Sequence, residues 1–261
     1  MQPIFVAFRY LNYILNAVDE HSLHSPYIYD LYSRIIKPDI QSKEFKEYEQ
    51  LRNQLRADRR KLHITDLGAG SAVYRKPVKT VGQIARQSVT SPKQSRLFNR
   101  LIRFFNHEYI IELGSSVGVN TLYLASAHKM ARVFTIEGCP QTAGIAKEVF
   151  DRFKDLNINL LKGNIDRVLP CLVSKLPSVD FVYFDANHTY EATLNYFNLC
   201  MQKAHEKSVF VFDDIHWSKG MAKAWEKVRS HEKVSLTIDL FDSGLVFFRP
   251  LYVKQNYTLC Y

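Results

Sequence analysis

The sequence lacks three features that would place the protein in a specialised class. Its four cysteines are widely spaced and form no CxxC pair, which argues against a zinc site or a dithiol redox motif. No apolar run reaches the ~18 residues that a transmembrane helix needs, so no membrane span is predicted. The N-terminal segment has no basic stretch ahead of an apolar core. We therefore expect no signal peptide and a cytoplasmic protein.

Acidic residues are scarce relative to basic ones. The 261 residues include 35 Lys and Arg against 26 Asp and Glu, which gives a net charge of +9 at pH 7. Residues 51–103 carry most of the excess, whereas the net charge of residues 109–261 is close to zero. A basic stretch of this kind predicts an anionic partner or substrate, such as nucleic acid, acidic lipid or a phosphorylated small molecule.

The chain divides into a helical N-terminal part and a C-terminal part in which strands and helices alternate. Apolar residues with helical spacing predict helices over 3–18, 27–36, 42–61, 80–87 and 91–105. From residue 108, short apolar runs alternate with longer helical segments, which is typical of a parallel sheet covered on both faces. We predict a basic helical extension or lid over 1–90 and an α/β domain over 91–261.

Seven strands are predicted in the α/β domain. Five apolar runs predict parallel strands at 109–113, 132–136, 158–161, 181–184 and 209–212. Two further runs, 236–241 and 245–248, flank Asp242-Ser243-Gly244 and predict a closing antiparallel hairpin with its turn at these three residues. The predicted fold is therefore a Rossmann-like α/β sheet of five parallel strands and one antiparallel pair.

The loop after the first parallel strand does not match a phosphate-binding loop. Counting from Gly114, the second and third glycine positions of a dinucleotide fingerprint hold Ser116 and Val119, and no P-loop lysine is present. Glu112 borders the loop, and a carboxylate there would repel a pyrophosphate but suit a cationic ligand. Glu137 ends the second strand, where a carboxylate can accept the hydroxyls of a ribose.

Residues 91–250 resemble a class I S-adenosylmethionine-dependent methyltransferase. The segments IELGSSVGVNT, TIEGCP, LLKGNIDRVLP, DFVYFDANHTYE and VFVFDDIHW follow one another in the order of that family's motifs. The segment that leads into the first strand, SPKQSRLFNRLIRFFNHEYIIELG, resembles the O-methyltransferase branch that includes catechol and caffeoyl-CoA enzymes. The resemblance is specific for the cofactor and the fold, and much less so for the substrate.

The resemblance implies an S-adenosylmethionine site at the carboxyl ends of the strands. The glycine loop would pass the methionine part of the cofactor, Glu137 would hold the ribose, and Asn164 would border the adenine. The implied cofactor-binding residues are Glu112, Gly114, Ser115, Ser116, Gly118, Asn120, Glu137, Gly163, Asn164, Ile165 and Asp185.

The resemblance also implies a catalytic group at the ends of the fourth and fifth strands. Related enzymes hold a divalent metal such as Mg²⁺ with acids that match Asp185, Asp213 and Asp214. The acid and the lysine that usually follow the first of these are absent, so the use of a metal stays open. Without a metal, His188 or His216 would act as the general base, and a non-catalytic position on the rim is favoured for His216.

We therefore predict methylation of a hydroxyl group on a small or medium-sized substrate. The substrate could be anionic, because the basic stretch would attract negative charge. Two alternatives stay open: an RNA or tRNA methyltransferase that uses the basic N-terminal region, and a non-catalytic binding protein that retains the fold. Binding of nucleic acid is not favoured, because charge runs are usually solvated. The aromatic residues of segment 3–18 can form core, a homodimer face or a membrane-surface contact.

A second glycine-rich segment, Asp66-Leu67-Gly68-Ala69-Gly70-Ser71, also looks like a methyltransferase glycine loop by its letters. The strand before it is weak, and the segment after it contains Pro77 and several basic residues and does not read as a helix. We interpret it as a turn-rich loop that could serve as a lid.

Overall fold

A computed structural model describes residues 2–38, 43–65 and 78–261 of the chain. The second glycine-rich segment, at 66–71, lies outside the described residues. No helix in the described ranges is long and apolar enough to cross a membrane.

Ten α-helices lie within these ranges. They are α1 (Gln2–Asn16), α2 (Pro26–Leu31), α3 (Lys46–Ala57), α4 (Val81–Gln87), α5 (Pro92–Phe105), α6 (Val119–Ala125), α7 (Pro140–Phe150), α8 (Ile165–Lys175), α9 (Tyr190–Met201) and α10 (Lys219–Ser230). A π-helical turn at Tyr32–Ile36 continues α2. The predicted start of α5 is confirmed, because the Ser91 hydroxyl accepts a hydrogen bond from the Gln94 N–H and Pro92 opens the first turn.

Ten strands lie in the same ranges. They are β1 (Lys61–His63), β2 (Val78–Thr80), β3 (Tyr109–Leu113), β4 (Arg132–Glu137), β5 (Ile158–Lys162), β6 (Phe181–Phe184), β7 (Val209–Asp213), β8 (Leu236–Asp239), β9 (Ser243–Phe247) and β10 (Gln255–Thr258). The five predicted parallel strands are β3 to β7, and each begins at the predicted residue. The predictions for β4, β5 and β7 end one residue too early, because the last residue of each observed strand is charged and does not belong to the apolar run.

The chain forms two compact units, and the first holds the described residues from 43 to 175. In this unit β3, β4 and β5 pair in parallel, in that order. The helix α3 buries Tyr48, Leu51 and Leu55, which follow one another with helical spacing, in a core that also contains Tyr123 of α6. Strands β1 and β2 form a separate antiparallel pair. The sequence predicted a loop where β2 lies, because its three residues carry no extended apolar run.

The second unit holds residues 2–38 and 176–261. Strands β6 and β7 pair in parallel, β7 pairs antiparallel with β9, and β8 and β9 form the predicted hairpin. The edge strand β10 runs parallel to β8 and was not predicted, because its sequence QNYT is polar.

The predicted position of the hairpin turn is wrong. Ser243 and Gly244 already belong to β9, and the turn lies at residues 240–242, where Phe241 has a φ of 70°. Gly244 is needed for packing instead, because a Cβ atom there would lie 2.5 Å from Cη2 of Trp225. The glycine that suggested a turn therefore makes room for a buried indole ring.

Candidate active site

The loop between β3 and α6 contains three residues with a left-handed backbone. The φ angles are 96° at Gly114, 50° at Ser116 and 83° at Gly118. Glycine adopts such angles without a steric penalty, whereas serine does so at a cost. The N–H groups of Gly114 and Ser115 donate to the Ile136 carbonyl at 2.9 and 3.3 Å, so the loop is fixed to the end of β4.

Gly118 stands at the start of α6, against α7. A Cβ atom at this position would lie 2.7 Å from Cε1 of Phe150. Gly118→Ala should therefore lower the free energy of unfolding by about 2 kcal/mol or more, because it adds this clash to a left-handed φ. Urea unfolding monitored by circular dichroism measures the loss.

Gly144 in α7 offers a matched control for this substitution. A Cβ atom at Gly144 would meet nothing within 4 Å. Gly144→Ala should therefore raise the free energy of unfolding by up to about 1 kcal/mol, since alanine favours a helix interior. Equal effects of the two substitutions would contradict the role given to Gly118.

Glu112 is the second-last residue of β3 and is fully buried, with 0% of its surface exposed. Its carboxylate accepts hydrogen bonds from the Asn120 amide at 2.8 Å, the Thr121 hydroxyl at 2.5 Å and the Thr135 hydroxyl at 2.6 Å. These bonds offset the cost of burying a charged group. Glu112 thereby joins β3 to β4 and to the first turn of α6. Its predicted contact with the cofactor stays a prediction.

Glu137 connects the loop to the end of β4. Its half-buried carboxylate accepts the backbone N–H of Ser116 at 2.9 Å through Oε2 and that of Cys139 at 2.8 Å through Oε1. The side chain predicted to hold a ribose therefore also fixes the residue at the tip of the glycine loop. The backbone contact with Ser116 was not visible in the sequence, since the two residues lie on different elements.

Two polar atoms, one in the loop and one in the first turn of α6, are buried without a hydrogen-bond partner in the described part of the chain. They are Oγ of Ser116 and Oδ1 of Asn120. A buried polar atom without a partner costs about 1–3 kcal/mol. The loop therefore has hydrogen-bonding capacity that a polar ligand can use.

The end of β5 turns at Gly163, which has a φ of 143° and donates its N–H to the Glu137 carbonyl at 3.0 Å. The next residue, Asn164, accepts the N–H of Asp166 at 2.7 Å through its side-chain oxygen. Asn164 thus stabilises the start of α8 at Ile165, as an asparagine commonly does before a helix. Gly163, Asn164 and Ile165 are all partly exposed, as residues that border a ligand must be.

In the second unit, His188 lies among the predicted catalytic acids. Its Nε2 atom is 3.4 Å from Oδ1 of Asp185 and 4.0 Å from Oδ2 of Asp214, and 27% of its side chain is exposed. The turns that present these residues have left-handed backbone angles, with φ of 50° at Asn187 and 55° at Asp214. The ends of β6 and β7 therefore bring an imidazole and two carboxylates together.

The electrostatics of this group shift three pKa values upward. Burial alone would lower the pKa of His188, but the hydrogen bond and charge of Asp185 and the charge of Asp214 raise it overall. Desolvation, together with the charges of Asp185 and Asp214, raises the pKa of Asp213 well above its ordinary value. Desolvation also raises the pKa of Asp214, against the effect of His188. His188 and Asp213 therefore hold a proton more tightly than the same side chains do in water.

A metal centre is not apparent at these acids. The described residues contain no group of three or more His, Cys, Asp or Glu side chains that could hold a metal ion. The imidazole of His188 instead lies within 4.0 Å of two of the three predicted ligands, Asp185 and Asp214. We therefore derive no step through a metal ion.

His216 lies close in sequence to Asp214 but makes different contacts. It is buried, its Nε2 is 2.8 Å from Oδ2 of Asp239, and its Nδ1 accepts hydrogen bonds from Arg9 at 2.9 and 3.1 Å. Because Arg9 can only donate, the proton of a neutral His216 lies on Nε2. Both ring nitrogens are therefore engaged, Nδ1 with Arg9 of α1 and Nε2 with Asp239 of β8.

The basic stretch is partly neutralised by acids that lie outside it in sequence. Arg60 is 2.8 Å from Glu148, and Arg96 is 3.2 Å from Glu49. The net charge of residues 51–103 therefore overstates the positive charge that this region presents. Binding of nucleic acid stays an untested prediction.

Comparison with known sequences gives two matches. Residues 111–215 match a family model described as a methyltransferase domain. A catechol O-methyltransferase from Niastella koreensis is 26% identical over 128 residues, which is 48% of this chain and 57% of that protein. The chain thus spans little more than half the length of this curated relative.

Two solved structures share the fold over most of the chain. An SAH-bound methyltransferase from Podospora anserina has a TM-score of 0.60 at 13% identity, covering 87% of this chain and 97% of that chain. An O-methyltransferase from Bacillus cereus in complex with SAH has a TM-score of 0.57 at 17% identity, covering 84% and 96%. The predicted Rossmann-like α/β fold is confirmed.

Proposed function

We infer that this chain belongs to the class I S-adenosylmethionine-dependent methyltransferases and that it methylates a hydroxyl group. The observation that carries this inference is the glycine loop inside the matched segment. The Glu137 carboxylate accepts the Ser116 N–H of this loop, and the Glu112 carboxylate accepts the Asn120 amide of the helix that follows it. A loop bordered by negative charge suits a cationic cofactor and not a nucleotide phosphate.

The first unit supplies most of the groups that would hold the cofactor. Ser116 and Asn120 offer buried polar atoms that have no hydrogen-bond partner among the described residues, and Glu137 offers a half-buried carboxylate. We propose that Glu137 receives the ribose hydroxyls and that Asn164 and Ile165 border the adenine. The other predicted members of the cofactor site are Gly114, Ser115, Gly118, Gly163 and Asp185.

S-adenosylmethionine, when bound, supplies a methyl group on a positively charged sulfur that is ready to leave. The chain must therefore align the acceptor oxygen with that group and remove its proton. Because Nε2 of His188 faces Asp185, we propose that Nδ1 accepts the proton of the hydroxyl. The negative charges of Asp185 and Asp214 would stabilise the imidazolium that forms.

We propose a small or medium-sized hydroxylated acceptor, as the sequence predicted, with residues 91–261 as the catalytic domain and residues 1–90 as an extension. We also propose that the acceptor is anionic. Several basic residues of the stretch 51–103, among them Arg59 and Lys61, are exposed and could attract a negative charge. The four cysteines are free thiols, which supports a reducing compartment such as the cytoplasm.

Calorimetric titration of the full chain with S-adenosylmethionine tests the first half of this function. We expect one saturable site at which S-adenosylhomocysteine competes. ATP, which has the same adenosine but a polyphosphate, should bind much more weakly, because Glu112 and Glu137 disfavour negative charge at the loop. Tighter binding of ATP than of S-adenosylmethionine would contradict the proposed cofactor.

A further inference from the structure

The helix α1 presents an apolar face that the described residues of its own unit leave exposed. Five large side chains on this helix are between 53% and 83% exposed. They are Ile4, Phe8, Leu11, Ile14 and Leu15, whereas Tyr10 packs against Phe241. Contiguous apolar patches of this size are uncommon on monomers and mark interaction sites.

The opposite face of α1 is anchored, so the apolar face has a fixed direction. Arg9 donates to His216, and the Tyr13 hydroxyl donates to the Leu259 carbonyl at 2.6 Å. Just after the helix, Val18 forms a β-bridge with Leu259. These contacts hold α1 in place while its apolar face points outward.

The spacing along this face is self-complementary. Ile4, Phe8, Leu11 and Leu15 follow one another at intervals of four, three and four residues, which places them on one side of a helix. The series is symmetric about the point midway between Phe8 and Leu11. Two antiparallel copies related by a two-fold axis at that point would therefore set Ile4 against Leu15 and Phe8 against Leu11.

The charge of the helix favours a second protein surface over a lipid surface. Helices that lie in a membrane interface carry Lys or Arg on their polar face. The single charged side chain of α1 is Arg9, and it is bound to His216. The outward face thus has no basic group to meet an anionic headgroup.

The area of the face also suits a dimer. A fully exposed large side chain offers about 200 Å², so the five side chains together expose roughly 700 Å². This is about the area that each partner buries in a standard protein–protein interface. Closed two-fold dimers are the commonest soluble assemblies.

We propose that the apolar face of α1 is the interface of a homodimer in which two copies of α1 pack antiparallel about a two-fold axis. The face lies on the side of α1 away from His216 and does not depend on the proposed chemistry. Dimerisation and methyl transfer can therefore be tested separately.

Sedimentation equilibrium of the full chain at micromolar concentrations tests the interface. We expect a species of twice the 30.4 kDa chain mass. The double variant Phe8→Glu with Leu11→Glu should raise the dissociation constant at least about 30-fold, since both positions lie at the centre of the contact. Its circular dichroism spectrum should match that of the wild type, because both side chains point into solvent in the single chain.

Met130→Glu is the matched control, since Met130 is a 52% exposed apolar residue in the other unit. It should leave the dissociation constant unchanged. A wild-type chain that is monomeric at these concentrations would overturn the proposal. Co-sedimentation with phosphatidylcholine–phosphatidylserine vesicles that is lost in the double variant would also overturn it, in favour of a lipid surface.

Cysteine cross-linking tests the antiparallel arrangement. In a chain that carries Cys171→Ser and Cys260→Ser, Ile4→Cys and Leu15→Cys are introduced separately. Oxidation should cross-link a mixture of the two variants but neither variant alone, because Ile4 faces Leu15 of the second copy. Cross-linking of either variant alone would contradict the antiparallel pairing. The substituted residues lie at the surface, and unfolding curves check that each variant is folded.

Discussion

Glu137→Gln is expected to weaken S-adenosylmethionine binding by on the order of 100-fold, because hydrogen bonds to a charged group contribute about 1.5–3 kcal/mol each. The substitution removes the charge that would receive the ribose hydroxyls. It also places an amide against the backbone N–H groups of Ser116 and Cys139, which now donate to the carboxylate at 2.9 and 2.8 Å. Calorimetry measures the change in the dissociation constant.

Glu148→Gln provides the control for this substitution. Glu148 lies in the same unit and is exposed, where it pairs with Arg60 at 2.8 Å. Exposed ion pairs contribute at most about 1 kcal/mol, so the affinity for the cofactor should not change. Equal affinity of Glu137→Gln and the wild type would remove the ribose assignment. Melting curves of both variants show whether a loss of binding reflects unfolding of the loop.

His188→Asn should lower kcat by about 100-fold to 10,000-fold, the range that general base catalysis usually contributes. The affinity for S-adenosylmethionine should change little, because His188 is assigned to the acceptor hydroxyl. Steady-state kinetics together with calorimetry separate the two effects.

His205→Asn serves as a control with the same chemistry. His205 pairs with Asp180 at 2.9 Å, as His188 does with Asp185 at 3.4 Å, and both pairs lie in the second unit. The control should keep nearly full activity. A His188→Asn variant with wild-type kcat would contradict the assignment of the base.

The pH dependence of kcat follows from the same assignment. His188 must be neutral to accept a proton, and its pKa is raised above 6.5. Activity should therefore fall as the pH drops through this raised pKa. Asp185→Asn removes the hydrogen bond and the charge that raise the pKa, so the acidic limb of the profile should move to lower pH. An unchanged limb would indicate that a different group titrates.

Much of the α/β sheet could be predicted from the sequence because its strands are buried on both faces. The runs that form β3, β6 and β7 are almost entirely apolar. Gly114 follows the last residue of β3, and aspartates mark the ends of β6 and β7. The strand β10 gave no such signal, because it is polar. Gly244 gave a false signal, since the reason for a glycine there is the ring of Trp225, which a local pattern does not contain.

The sequence predicted which residues belong to the candidate site, but it did not predict which of them contact one another. The carboxylate of Glu112 is held by Thr135, 23 residues further along the chain, and that register exists only once β3 and β4 pair. The proximity of His188 to Asp214 likewise depends on the pairing of β6 with β7. The capping role of Asn164 could have been predicted, because an asparagine just before a helix is a common start signal.

The most direct test of the proposed function is methyl transfer to oxygen. The full chain, incubated with S-adenosyl-L-[methyl-³H]methionine and a panel of small hydroxylated aromatic and aliphatic acceptors, should form a labelled methyl ether and an equal amount of S-adenosylhomocysteine. The same acceptor with its hydroxyl already methylated should give no product. Saturable cofactor binding without transfer to any hydroxyl, or transfer to nitrogen alone, would contradict the proposed O-methyltransferase activity.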